Sequence, residues 1–131
     1  MNKSGFTSFS QKQLVALSWW HYGSPFCEKD GIICDGAVRS GKTTFMSLSF
    51  VAWATFRFSG EAFALCGKTI TSLKRNVVTP LLPVLRSLGF DCREKYSQNF
   101  IDISLSGKQN RFYLFGGRDE SSASLIQGMT L

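Results

Sequence analysis

Apolar residues along the chain are grouped into segments that predict helices and strands in alternation. The longest segment, Lys42 to Phe58, contains no Gly or Pro and is mostly apolar, and Ser59-Gly60 follows it. This pattern predicts a helix of about four turns that is buried on most sides. An earlier helix is predicted from Ser10 to about Tyr22, because an S-x-x-Q capping box precedes apolar residues at helical spacing.

Three further segments have the composition of strands. Ile32 to Cys34 is a short apolar run that predicts a buried strand, and Glu61 to Cys66, closed by Gly67, predicts a second one. The β-rich runs Asn99 to Leu105 and Arg111 to Phe115 are separated by Ser106 to Asn110, which predicts a hairpin. We expect this hairpin to be an insertion or an antiparallel edge of the sheet.

Between the second strand and the hairpin lies a stripe of apolar residues at i, i+4 spacing: Leu73, Val77, Leu81, Leu85 and Leu88. Pro80 and Pro83 interrupt it, so two short helices are predicted. A last helix is predicted from Ser121-Ser122 through Gln127. The order of strands and helices is typical of an α/β fold with a parallel sheet flanked by helices.

Composition narrows the class of protein. The chain has 131 residues, of which 44% are hydrophobic and 14% aromatic, enough for the core of one domain or part of one. Its net charge of +6 favours anionic partners. Four cysteines without a C-x-x-C motif and a single histidine predict reduced thiols and no zinc site. We find no signal peptide or membrane span, and expect a cytoplasmic protein.

One motif carries specific chemistry. Gly36 to Thr43 matches G-x-x-x-x-G-K-S/T and lies between a predicted strand and the predicted long helix. In such a phosphate loop, backbone N–H groups and the helix N-terminus hold phosphate, the lysine contacts the terminal phosphates, and the hydroxyl binds Mg²⁺. The predicted cofactors are therefore ATP and Mg²⁺. The predicted binding residues are Gly36, Ala37, Val38, Arg39, Ser40, Gly41, Lys42, Thr43 and Thr44, with Lys42 and Arg39 catalytic and Thr43 the Mg²⁺ ligand.

Two features of this site stay open. Arg39 could lean over the γ-phosphate as an arginine finger or face solvent. The sequence lacks an acid at the end of a second apolar strand, where such a residue would hold Mg²⁺. Asp102 does not fit this position, because it lies inside an alternating strand. We therefore expect the chain to stop before the Walker B strand. The alternative is a complete small binding domain that uses Asp119 or Glu120.

Two segments, Gly31 to Thr43 and Phe115 to Leu131, resemble the large terminase subunits of tailed bacteriophages, the motors that package DNA. The resemblance implies a partial P-loop NTPase of the RecA/ASCE-like type that is truncated before Walker B. Residues 1–131 would then be the N-terminal portion of the ATPase domain, without the nuclease domain. The resemblance assigns Lys42, Thr43 and Arg39 the roles given above. Gln13 would contact adenine or serve only as a capping-box residue. Lys68-Thr69 would touch a DNA backbone, or form a basic strand end with a helix cap at Thr71 or Ser72.

The function implied is the ATP-binding segment of a DNA-packaging motor, in which the full-length protein hydrolyses ATP to translocate DNA and also acts as an endonuclease. The implied partners are double-stranded DNA, the terminase small subunit, the portal protein and further copies in a ring, in the bacterial host cytoplasm and without a membrane. Two alternatives are another P-loop NTPase, such as a helicase or small kinase, and a non-catalytic nucleic-acid-binding module.

Overall fold

The computed structural model describes residues 11–31, 42–118 and 131. Its elements, in chain order, are α1 (Gln11–Ser18), α2 (Lys42–Arg57), β1 (Ala62–Gly67), α3 (Ile70–Leu73), a π-helical segment (Lys74–Val78), α4 (Thr79–Ser87), β2 (Asp91–Lys95), a 3₁₀ turn (Tyr96–Gln98), β3 (Phe100–Leu105) and β4 (Lys108–Gly116). The predicted strand at 32–34, most of the phosphate loop, and the predicted helix at 121–127 lie outside the described residues.

The two N-terminal helices pack together. The predicted long helix is confirmed as α2, with Leu48, Val51 and Ala54 buried. The first helix ends at Ser18 rather than near Tyr22, because the chain turns at residues 19–28. The Ser49 hydroxyl on α2 donates to the Leu17 carbonyl at 2.8 Å, so the last turn of α1 is fixed against α2.

The four described strands form one sheet in the order β1-β4-β3-β2. β4 pairs parallel with β1, while β3 pairs antiparallel with both β4 and β2. The predicted parallel sheet is therefore correct for β1 and β4 only, and the described sheet is mixed. The predicted hairpin is confirmed, but β4 lies inside the sheet, and only β3 and β2 extend it as an antiparallel edge.

The hairpin turn is tighter than the predicted five-residue loop. Ser106 and Gly107 alone connect the strands, with Leu105 paired to Lys108. Both turn residues have positive φ, 53° and 82°. Two successive positive φ values are the mark of a type I′ turn, whose twist matches that of the flanking strands.

The proline-containing segment corrects the prediction of two short helices. Residues 70–87 are helical without a break, since Leu73, Val78 and Thr79 all keep right-handed helical angles. The adjustment is the π-helical segment, in which the Thr79 N–H donates to the carbonyl five residues back. This segment directly precedes α4, of which Pro80 is the second residue, and Pro83 lies within α4 on its exposed side.

The helices cover one face of the sheet through an apolar core. Leu81 and Leu85 of α4 and Phe112 of β4 are almost fully buried. Phe112 stacks on Phe63 with centroids 5.3 Å apart, and Phe50 meets it edge-on at 5.9 Å. These contacts fix α2 against the parallel pair of strands.

None of the described helices has the length and apolar character needed to span a membrane. Cys27, Cys66 and Cys92 are not paired in disulfides within the described residues.

Candidate nucleotide-binding site

The direction of α2 decides where its N-terminus lies. At its C-terminal end, the Lys108 ammonium donates to the Phe56 carbonyl at 2.9 Å, which places that end beside the start of β4. Phe50, six residues earlier in α2, contacts Phe112, four residues later in β4. The helix thus runs antiparallel to β4, and over about 24 Å it directs its first residues to the carboxyl ends of the parallel strands. Ligands bind at this edge in α/β folds.

The first residues of α2 are those of the predicted phosphate site. The helix begins at Lys42, immediately after the glycine-rich sequence, as predicted. The Thr43 side chain is exposed, and its carbonyl accepts a 2.7 Å hydrogen bond from the Ser47 hydroxyl. Thr44 is half-buried. The N–H groups of this first turn point out of the helix at its N-terminus, which is also the positive end of the helix dipole. This arrangement is suited to bind phosphate.

The remaining predicted site residues are only partly located. Gly36 to Gly41, which include Arg39, lie outside the described residues. Gln13 lies in α1. The roles assigned to the phosphate-loop residues and to Gln13 therefore stay predictions.

A cavity of about 510 Å³, which the sequence did not reveal, lies between α1 with its following turns and α2. Four aromatic side chains line it together with polar groups; the lining residues include Trp19, Trp20, Phe50, Trp53, Lys29 and Asp30. The size is within the range of small-molecule sites, and aromatic walls suit a flat ring. Two smaller cavities, of about 300 and 400 Å³, lie beside the start of β4 and beside the turns after α1.

Arg57, at the end of α2, lines one side of the 510 Å³ cavity. Its guanidinium lies 4.6 Å from the ring centre of Tyr22 and 5.9 Å from that of Trp20. It also donates to the Trp20 carbonyl at 2.9 Å. Together with the bond from Ser49, these contacts hold the turn after α1 against α2.

Asp102, the acid inside the predicted alternating strand, is held in an ion pair within the sheet. Asp102 of β3 accepts two hydrogen bonds from Arg111 of β4, at 2.8 and 3.2 Å, and the guanidinium lies over the Phe100 ring. The bond to Asp102 raises the pKa of Arg111. Residues 11–31 and 42–118 contain no cluster of three or more His, Cys, Asp or Glu that could hold a metal.

The carboxyl ends of β1 and β4 are tied together beyond the strands. The Gly117 N–H donates to the Gly67 carbonyl at 2.8 Å, and the Arg118 N–H donates to the Lys68 carbonyl at 2.9 Å. The helix after β1 is capped by Thr69, whose hydroxyl accepts from the Ser72 N–H at 3.0 Å. The predicted cap at Thr71 or Ser72 is therefore wrong, because the helix begins earlier.

A long helix beginning at a G-K-T sequence and running antiparallel to a parallel strand pair defines a mixed α/β domain of the P-loop NTPase class. Comparison with solved structures adds the family. The large terminase of a thermophilic bacteriophage is 52% identical, with a TM-score of 0.93, over 95% of this chain and 31% of that chain.

The same thermophilic phage terminase has also been solved with nucleotides. Its ADP complex matches with 51% identity and a TM-score of 0.88, over 94% of this chain and 30% of that one. Its ATP-gamma-S complex matches with 48% identity and a TM-score of 0.86, over 95% and 29%. No family model and no curated protein matches the chain.

These matches confirm the resemblance predicted from the sequence. The chain is a relative of the phage large terminase subunits over the region that they share. It spans about a third of the length of the solved terminases that it matches.

Proposed function

We propose that this chain binds ATP through Gly36 to Thr43, at the N-terminus of α2. The observation that carries the proposal is the direction of α2, which brings Lys42 and Thr43 to the carboxyl edge of the parallel strands. The thermophilic phage terminase, solved with ADP and with ATP-gamma-S, supports it as a related protein that binds nucleotide.

Each residue has a distinct role in this proposal. Lys42 neutralises the terminal phosphates, the Thr43 hydroxyl binds Mg²⁺, and backbone N–H groups from Gly36 to Thr44 hold the phosphate oxygens. Arg39 contacts the γ-phosphate. Gln13 of α1 contacts the base.

We further propose that the chain is the ATP-binding part of a DNA-packaging motor in the host cytoplasm. Double-stranded DNA would be the cargo, hydrolysis would drive translocation, and the terminase small subunit, the portal protein and further copies in a ring would be the partners. An endonuclease would belong to the full-length protein. Hydrolysis would also need a carboxylate that helps to hold Mg²⁺ and orients the attacking water.

The test is calorimetric titration of the chain with Mg·ADP and Mg·ATP-gamma-S. Lys42→Ala should weaken binding by about 10- to 100-fold, because charge-assisted contacts to phosphate are lost. Lys95→Ala is the matched control, since Lys95 is an exposed lysine on the far edge strand β2. Equal affinity of wild type and Lys42→Ala, or no binding by the folded wild type, would refute the proposal.

A further inference from the structure

Ser49 is a buried hydroxyl residue in the mostly apolar helix α2, where it is 2% exposed. A buried hydroxyl needs a hydrogen-bond partner, and a serine within a helix can use the carbonyl four residues back. Ser47 does so with the Thr43 carbonyl, whereas Ser49 donates to the Leu17 carbonyl of α1 at 2.8 Å. The Ser49 hydroxyl therefore joins two helices.

The position of α1 depends on such bonds, because this helix is short and buries little. It has eight residues, a length at which an isolated helix is only marginally stable. Among its described side chains only Ala16 is buried, while Leu14 and Val15 are each 46% exposed. The hydrogen bond from Ser49 therefore contributes strongly to fixing α1 on α2.

The order of the contacts indicates that α1 and α2 run in the same direction. Leu17 is bound by Ser49, and Trp20, three residues later, is bound by Arg57, eight residues later in the sequence. The start of α1 therefore lies toward the N-terminus of α2, the end at which phosphate is proposed to bind. Gln13 precedes the Leu17 contact by one turn, so it lies up to about 6 Å nearer to that end.

We propose that Ser49 is a positioning residue, which holds α1 at the distance from the phosphate site that one adenine nucleotide spans. The inference rests on the proposed function, in which Gln13 contacts the base and Lys42 the terminal phosphates, and it adds the residue that joins these two contacts. Because α2 begins at the phosphate site, the bond from Ser49 ties the helix that carries the base contact to the helix that carries the phosphate contacts. A site whose parts are held in place before binding loses less conformational entropy when the ligand binds.

The experiment compares two ligands that share a diphosphate and differ in the nucleoside. Calorimetric titration of the whole chain with Mg·ADP and with Mg·pyrophosphate gives the ratio of affinities that the nucleoside contributes. Ser49→Ala should weaken Mg·ADP binding by about fivefold, the value of one hydrogen bond, and leave Mg·pyrophosphate binding within about twofold of wild type. Lys42→Ala should weaken the binding of both ligands, because it removes a phosphate contact.

Thr55→Ala is the matched control. Thr55 is also a hydroxyl residue of α2 and is 1% exposed, but its hydroxyl has no hydrogen-bond partner in the part of the chain that the structure describes. Its replacement should lower stability without changing the ratio of ADP to pyrophosphate affinity. Circular dichroism would verify that each variant keeps the wild-type fold.

The fold should persist in Ser49→Ala, because the Trp20 indole N–H also donates to the Leu17 carbonyl, at 3.1 Å. Arg57→Gln is a second variant, on an exposed residue, that removes the other hydrogen bond between these segments. It should lower the affinity ratio less than Ser49→Ala does, because Trp20 lies beyond the end of α1.

A double-mutant cycle separates positioning from a general loss of stability. If Ser49 acts on the base through Gln13, then Ser49→Ala should have little further effect on Mg·ADP affinity in a Gln13→Ala background. Fully additive effects of the two substitutions would overturn the inference.

The other outcomes distinguish this inference from the proposed function. An equal loss of affinity for both ligands in Ser49→Ala, no loss for either, or the same change of ratio in Thr55→Ala would overturn the inference. A wild type that binds Mg·ADP no more tightly than Mg·pyrophosphate would also overturn it, because α1 would then contribute nothing to binding. The proposed function itself fails only if Lys42→Ala leaves nucleotide affinity unchanged or the folded wild type binds no nucleotide.

Discussion

Asn110 is the buried polar residue that joins α2 to the start of β1. It is 2% exposed. Its amide nitrogen donates to the carbonyls of Ala54 at 3.3 Å and Phe58 at 3.1 Å, and its oxygen accepts from the Glu61 N–H at 3.0 Å. One side chain therefore satisfies two carbonyls at the C-terminal end of α2 and an N–H at the entrance to the sheet.

Replacing Asn110 with Ala removes three hydrogen bonds, each with a net value of about 1 kcal/mol. Water can reach the Phe58 carbonyl, which is only partly buried, so we expect a loss of about 2–3 kcal/mol in the free energy of unfolding. For a chain of 131 residues this corresponds to a fall in Tm of about 7–11 °C.

Urea denaturation and calorimetry would measure both quantities. Gln109→Ala is the matched control, because Gln109 is the exposed neighbour on the same strand and should change stability by less than about 0.5 kcal/mol. If Asn110→Ala cost less than about 1 kcal/mol, or no more than Gln109→Ala, the assigned role of this side chain would be wrong.

Two further predictions concern the strand ends and the thiols. Gly67→Ala should destabilise the fold by about 1–3 kcal/mol, because the added Cβ would lie 3.0 Å from a side-chain atom of α3. Gly117→Ala is the control and should be nearly neutral, because the nearest atom to its added Cβ is 3.8 Å away. Equal denaturation midpoints for the two variants would contradict this prediction. Burial raises the pKa of the Cys92 thiol from 9.0 to about 11, so at pH 8 a disulfide reagent should modify exposed Cys66 well before Cys92. The folded state holds the Cys92 proton more tightly than the unfolded state does. The buried neutral thiol therefore contributes its full stabilisation of the fold below pH 9, and this stabilisation is lost as the pH rises towards 11. Cys92→Ala should remove this part of the alkaline loss of stability, and an unchanged alkaline profile would contradict the assignment.

Segments with a strong local signal were predicted correctly. α2 has an uninterrupted apolar sequence between a G-K-T motif and Ser59-Gly60, and β1 is a short apolar run closed by glycine. In both segments, the composition and the flanking residues predict the same element. The position of the start of α2 at the sheet edge depends on contacts of α2 with β4, which local pattern does not show.

Other features depend on tertiary contacts that local pattern does not show. β2, with the sequence Asp-Cys-Arg-Glu-Lys, buries only Cys92 and was missed, because it is an edge strand held by pairing with β3. The parallel pairing of β4 with β1 joins residues about 50 positions apart. The helix through Pro80 and Pro83 persists because a π-helical segment accommodates the prolines and Leu81, Leu82, Val84 and Leu85 are buried.

Nucleotide binding at the N-terminus of α2 can be tested residue by residue. The most direct measurement is a ¹H–¹⁵N correlation spectrum of the chain titrated with Mg·ADP, with backbone assignments for residues 36–44. We predict that the largest shift changes fall on the N–H groups of Gly36 to Thr44 and disappear in Lys42→Ala. Changes confined to other parts of the chain, or the same changes in Lys42→Ala, would contradict the account.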